Sequence, residues 1–197
     1  MPDFTILLFD GFETLDAFGP AEIIGQMPEE IFQLKYSSLR GGTVSSSQGV
    51  QVETCAWVQG SEKSVLLIPG GMGTRKLVED SRFIDLVHSA AGHSAYVLTV
   101  CTGSALLAKS GWLDGRRATS NKRAFDWVRS VNERVRWVPK ARWVVDGRYY
   151  TSSGVSAGMD MTLGFVADIH GLQTALEVAD AMEYVWNRDP HADPFFR

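Results

Sequence analysis

The sequence predicts one doubly wound α/β domain over residues 1–197, a mostly parallel sheet with helices on both faces. Three observations carry that expectation. Several segments are short, near-continuous apolar runs, as strands buried on both faces are. Each is followed by a turn or a glycine-rich loop and then by helical spacing. The alternation runs the length of the chain with no linker, repeat or low-complexity tract to divide it.

The elements follow in order. Phe4 to Phe9 is an apolar run and the first strand, ended by the turn signal Asp10-Gly11. Phe12 to Pro20 leads into a helix reaching about Met27, with Pro20 expected in its first turn, where a missing N–H has no partner to lose. Asp16 therefore sits near a helix start, beyond a strand end; its other reading is a helix cap. Phe32 to Leu39 is a second strand. Gly41 to Val52 forms a small hairpin around Gln48-Gly49, followed by Cys55, read as structural. Ser64 to Pro69 is a buried strand ending in Gly70-Gly71-Met72-Gly73. Such a loop lets backbone N–H groups approach a ligand and suits stabilisation of developing negative charge; its plainer reading is a tight turn. Ser81 to Ala91 is a helix capped by Ser81.

Ser94 to Val100 is the next buried strand, and from Thr102 to about Ser110-Gly111 the spacing is helical. Cys101 stands on the joint. A side chain on a sharp strand-to-helix turn is exposed at the top of a sheet, and the helix start favours thiolate over thiol. Cys101 is read as a nucleophile; its other reading is a small buried hydrophobe. Leu113-Asp114-Gly115 is a turn and Arg117 to Thr119 a short strand. Asn121 to Val131 is helical, with Ala124, Phe125 and Val128 inward. Arg142 to Thr151 gives two strands joined by a tight Asp146-Gly147 turn. Ser152 to Gly154 is a loop, Val155 to His170 an apolar helix, and Leu172 to about Tyr184 the last helix. Asp160 is read as a cap or network partner. The segment from Trp186 to Arg197 is expected to lie along the surface.

Composition bounds the function. The formal net charge of the 197-residue chain is −4, and no basic stripe appears, so nucleic acid is not an expected partner. No apolar run has the length of a membrane span and no basic segment precedes the first one, which leads to a cytoplasmic expectation. Two cysteines, Cys55 and Cys101, fit a reducing compartment, although one disulfide between them stays open. There is no P-loop and no zinc-like spacing, and neither cofactor nor metal is expected. The four histidines are scattered away from strand-end loops, and Trp127, Trp137 and Trp143 are expected in the core or at a dimer contact. In a parallel sheet the loops at Asp16, Gly70 to Gly73 and Cys101 fall on one edge, where open α/β sheets bind ligands.

The segments Leu15-Asp16-Ala17-Phe18-Gly19-Pro20, Ile68-Pro69-Gly70-Gly71, Val100-Cys101-Thr102-Gly103 and Gly154-Val155-Ser156-Ala157-Gly158-Met159-Asp160 together resemble the ThiJ/PfpI superfamily. The resemblance covers nearly the whole chain. It implies a flavodoxin-like fold, a homodimer, and a reactive cysteine beside an acidic residue. The combination D-x-x-G-P with C-T-G looks like the branch of isonitrile hydratases and of the amidotransferase-like domains of AraC-type regulators. No helix-turn-helix region follows here, so a DNA-binding role is not expected. Thr102 directly after Cys101 departs from the Cys-His pair of the protease and glyoxalase branches. Asn121 stands where the hydratases have histidine.

The resemblance implies addition of water to an isonitrile, giving an N-substituted formamide. Cys101 is the expected nucleophile and Asp16 the proton carrier, with Thr102 positioning Asp16 through its hydroxyl. Backbone N–H groups of Gly71 and Thr102 are expected to face developing charge. Phe18, Met72, Gly154, Val155 and Asn121 are expected around an uncharged small-molecule substrate. The rival readings are glyoxalase- or deglycase-like work on α-oxoaldehydes, a redox sensor built on Cys101, and a binding module that has lost the chemistry.

Overall fold

The computed structural model describes residues 1–28 and 30–196. In chain order the elements are β1 (Asp3–Leu7), α1 (Thr14–Gly25), β2 (Gln33–Ser38), β3 (Gly42–Ser45), β4 (Gln51–Ala56), β5 (Val65–Ile68), α2 (Thr74–Leu77), α3 (Ser81–Gly92), β6 (Tyr96–Thr99), α4 (Gly103–Lys109), β7 (Arg117–Ala118), α5 (Phe125–Val131), β8 (Arg136–Trp137), β9 (Trp143–Asp146), β10 (Tyr149–Ser152), α6 (Ser156–His170) and α7 (Leu172–Ala181). Eight strands form the main sheet in the order β3-β4-β2-β1-β5-β6-β10-β9. The six from β4 to β10 run parallel, and an antiparallel strand closes each edge.

The sheet is α/β and flavodoxin-like, as the apolar runs predict. Every residue of β5 is buried, and Ile6, Leu67 and Leu98 lie in register across the central strands. Apolar side chains point both ways from such strands and need cover on both faces. Helix α1 packs on α6 and α6 on α7, while α4 packs on α2, α3 and α5. The chain moves outward from β1 in one direction to β2 and in the other to β5. The carboxyl ends of β1 and β5 therefore meet at the switch point, with β6 and β10 next in line.

Several boundaries differ from expectation, each for a local reason. Pro20 is the seventh residue of α1, not part of its first turn; it has no N–H to give the Asp16 carbonyl one turn back. Helix α3 is capped by Asp80, whose carboxylate accepts the Arg82 N–H at 3.0 Å, rather than by Ser81. Helix α5 starts at Phe125; Asn121 precedes it, and of the expected inward residues only Val128 is buried. The two-residue pairing of β7 with β8 and the single turn α2 carry no periodic signal. The last helix stops at Ala181. Cys55 is exposed on β4 and both cysteines are free. Trp143 is core, against Gly164, whereas Trp127 and Trp137 are half-buried beside Arg75 and Phe125. The final segment lies on the surface, held by Arg142 N–H donating to the Pro190 carbonyl; its last residue, Arg197, falls outside the described residues. No helix among the described residues is long and apolar enough to cross a membrane.

Candidate active site

Cys101 occupies the turn between β6 and α4 with φ +56°, a left-handed conformation that costs a non-glycine residue about 1–2 kcal/mol. The surroundings hold it there. Its N–H donates to the Ser153 carbonyl at 3.1 Å, and its carbonyl accepts the hydroxyls of Ser104 at 3.0 Å and Ser120 at 2.8 Å. A β-carbon on Gly103 would collide with the Ile68 carbonyl oxygen. Glycine there lets α4 begin directly against the end of β5 and tightens the elbow.

Asp16, on the first turn of α1, is wholly buried. Its Oδ2 accepts the Gly70 N–H at 3.0 Å, while Oδ1 has no partner of hydrogen-bonding geometry. The Cys101 thiol and the Val155 N–H face this carboxyl. A buried carboxyl with a free oxygen resists ionisation. Burial, aided by the charge of Glu13, pushes Asp16 up to about 7 against the pull of the Gly70 N–H.

Burial works against the expected thiolate. Burial raises the Cys101 thiol far above its ordinary range and the Asp16 charge adds to this; the Thr102 N–H, the Thr102 hydroxyl and the Asn121 amide pull the other way without prevailing. Helix α4 is too short and the sulfur too deep for the helix start to dominate. The two groups act as a unit whose protons are coupled.

Other expected site residues divide. Gly154 and Val155 follow β10 and lie beside Asp16 and Asn121. Val155 has φ +44° and ψ −92°, a rare conformation for a β-branched residue, immediately before α6. Asn121 reaches the site from the segment before α5. Thr102 presents its N–H to Cys101, but its hydroxyl does not position Asp16; Oγ1 accepts the Gly71 N–H at 3.0 Å instead. The Gly71 N–H is thereby committed to the protein rather than to a substrate. Phe18 packs between the rings of Phe12 and Tyr36, and Met72 is exposed to solvent. Gly70, Ser120 and Ser153 escaped sequence reasoning as individual site residues; only the glycine loop gave any signal, for Gly70. Asp160 is a buried network partner of Arg142, not a reacting group. Among the described residues no group of three His, Cys, Asp or Glu side chains is placed to hold a metal ion.

A strained cysteine on an elbow, a buried acid two strands away and a doubly wound sheet define a class. The chain belongs to the DJ-1/PfpI family, whose model matches residues 4–168. It is 33% identical over 180 residues to isonitrile hydratase of Pseudomonas putida, spanning 90% of this chain and 76% of that protein. It is 29% identical over 187 residues to the HTH-type transcriptional regulator CdhR of Pseudomonas aeruginosa, spanning 90% of this chain and 54% of the regulator, about half its length. Among solved structures, a ThiJ/PfpI family protein from Pseudomonas syringae superposes with a TM-score of 0.82 at 25% identity, covering 98% of this chain and 77% of that one.

Proposed function

We propose that this chain hydrates isonitriles to N-substituted formamides with Cys101 as nucleophile and Asp16 as proton carrier. The observation that carries the reading is the Asp16 carboxyl, buried, poised near neutrality and with one oxygen free beside the thiol. The resemblance to isonitrile hydratase supports it. The groups acting most strongly on Cys101 are Asp16, Thr102 and Asn121, none of them cationic, which suits an uncharged substrate.

The pair is active when it holds one proton. The thiol proton moves to Asp16 as sulfur attacks the terminal isonitrile carbon, and Asp16 returns it to that carbon. The product of this half is a thioimidate, R–N=CH–S, with the proton now on carbon. Asp16 then takes a proton from water as the water oxygen bonds to the same carbon, and passes it to nitrogen. Collapse breaks the C–S bond, releases R–NH–CHO and returns the hydroxyl proton to sulfur through Asp16. Moving one proton within a closed pair avoids creating a separated charge in a dry site. The burial of Cys101 and its raised thiol disfavour a peroxide sensor, which needs an exposed thiolate.

The proposal includes a homodimer in a reducing cytosol, in keeping with two free cysteines. The test is turnover of an aromatic isonitrile by reduced protein, read as formamide, beside Cys101→Ala. Cysteine-dependent formamide supports the reading. Its absence, with turnover of methylglyoxal instead, transfers the site to α-oxoaldehyde chemistry.

A further inference from the structure

Two cavities meet along α5. One, of about 680 Å³, is lined by Lys122, Arg123, Phe125, Arg129, Phe195 and Phe196. The other, of about 570 Å³, extends to Val135 and Trp137. Phe125, Asp126, Arg129 and Pro139 line both, so the two form one groove, and neither Asp16 nor Cys101 belongs to it. Its apolar side is aromatic. Phe125 meets Trp137 edge to face, ring centres 6.1 Å apart, and Phe195 and Phe196 leave 65% and 39% of their surface in solvent. Cations gather at the same end. Lys122 Nζ lies 5.5 Å from the centre of the Phe125 ring, and Lys140 Nζ 5.7 Å from that of Phe196. Three cations, Lys122, Arg123 and Arg129, line the larger cavity against one acid, Asp126. In a chain of formal net charge −4 this local excess runs against the whole.

We propose that this groove is a second ligand site, for an organic anion with an aromatic body. The rings take the body, and the guanidinium groups of Arg123 and Arg129 take the carboxylate or sulfonate. The three cations are not equivalent. Lys122 Nζ already donates to the Thr119 hydroxyl and to the Ser120 and Ala141 carbonyls, so it contributes charge alone. Arg123 is exposed and makes no ion pair among the described residues. Arg129 approaches Asp126 only to 4.0 Å, with both side chains exposed, a pairing that water weakens. Two guanidinium forks are therefore available to an anion. An uncharged aromatic forgoes those contacts, and an inorganic anion forgoes the rings. A ligand with both parts uses the whole groove, whose size is that of small-molecule sites.

The experiment is a fluorescence titration of the whole protein with anilinonaphthalene sulfonate, an anionic aromatic dye, beside the uncharged phenylnaphthylamine of the same body. The wild type is expected to bind the sulfonate saturably, one per chain, and the uncharged dye about tenfold more weakly. Arg123→Glu combined with Arg129→Glu is expected to weaken the sulfonate by about tenfold or more with unchanged melting, and to leave the uncharged dye where it was. Phe196→Ser is expected to weaken both dyes. If the double variant does not fold, Arg123→Glu alone decides. Absence of saturable binding, equal affinity for the two dyes, or wild-type affinity in the charge-reversed protein each overturns the proposal. Sedimentation velocity tests the other occupant. If the wild type is a dimer that the same charge reversal splits, the groove belongs to a second copy of the chain and the ligand site is refuted.

Discussion

Thr102 Oγ1 accepts the Gly71 N–H at 3.0 Å, and through that bond the cysteine elbow and the glycine loop hold one another. The Thr74 hydroxyl lies between the same oxygen, at 3.1 Å, and the Gly71 carbonyl, at 2.7 Å. Thr102→Val removes the acceptor and strands a buried N–H, at a cost of about 1–3 kcal/mol. Thr102→Ser keeps the oxygen and most of the stability. Urea unfolding of the two variants measures the difference.

Asp16 makes stability depend on pH in a direction opposite to that of an ion-paired acid. Its folded pKa, about 7, lies above the ordinary 3.8. Below 3.8 both folded and unfolded chains are protonated there, and no difference arises. Between those values the unfolded chain releases the proton first, so stability falls as pH rises and reaches its full loss above about 7. The shift corresponds to a loss on the order of 4 kcal/mol. Asp16→Asn has no such ionisation. It is expected to gain on the wild type between about pH 4 and about pH 8 in denaturant titrations, while turnover falls to background.

The same ionisation is expected in the rate. An isonitrile carries no titrating group, so the pH profile of kcat/KM reports the free enzyme. Below about 7 the pair holds two protons and Asp16 cannot accept the thiol proton; kcat/KM rises as pH increases through that value. A profile flat across neutrality removes Asp16 as proton carrier.

Arg142 and Asp160 form a buried pair, Nε donating to Oδ2 at 2.6 Å, and Asp160 also accepts the Tyr184 hydroxyl and the Asn187 N–H at 3.0 Å. Arg142→Ala leaves an uncompensated carboxylate and is expected to cost about 3–5 kcal/mol. It also removes the guanidinium that lies 4.0 Å from Asp193 Oδ2, and faster limited proteolysis of the final segment is the expected readout.

Gly103→Ala tests the tightness of the elbow. The added methyl meets the Ile68 carbonyl, and overpacking of this kind costs about 1–3 kcal/mol. A melting temperature equal to that of the wild type contradicts the close approach of α4 to β5.

Much of this was legible in the chain. Val65 to Ile68 and Tyr96 to Thr99 read as buried strands because four successive apolar or β-branched residues suit nothing else so well. Asp146-Gly147 marked its hairpin, and Gly147 takes the left-handed conformation such turns need. Illegible were elements whose stability comes from elsewhere. The short strand read at Arg117 to Thr119 is β7, but its two-residue partner β8 gave no signal, and the cap of α1 comes from Gln48, whose Oε1 accepts the Thr14 N–H at 3.1 Å across 34 positions. No local pattern contains such a partner.

The amino-acid sequence alone determined that three strand-end loops share one edge of a parallel sheet, and so that Asp16, the Gly70 loop and Cys101 are neighbours. Alternating buried strands and helices admit few other arrangements, since each apolar face must be covered and crossovers have one hand. Only the tertiary structure decided which atoms meet. It turned Thr102 to Gly71 rather than to Asp16, brought the Asn121 amide against Gly154, and buried Cys101 so that its thiol is pushed up. Those outcomes depend on desolvation and on hydrogen bonds between residues distant in the chain, and both are set by depth and packing rather than by any local run of residues.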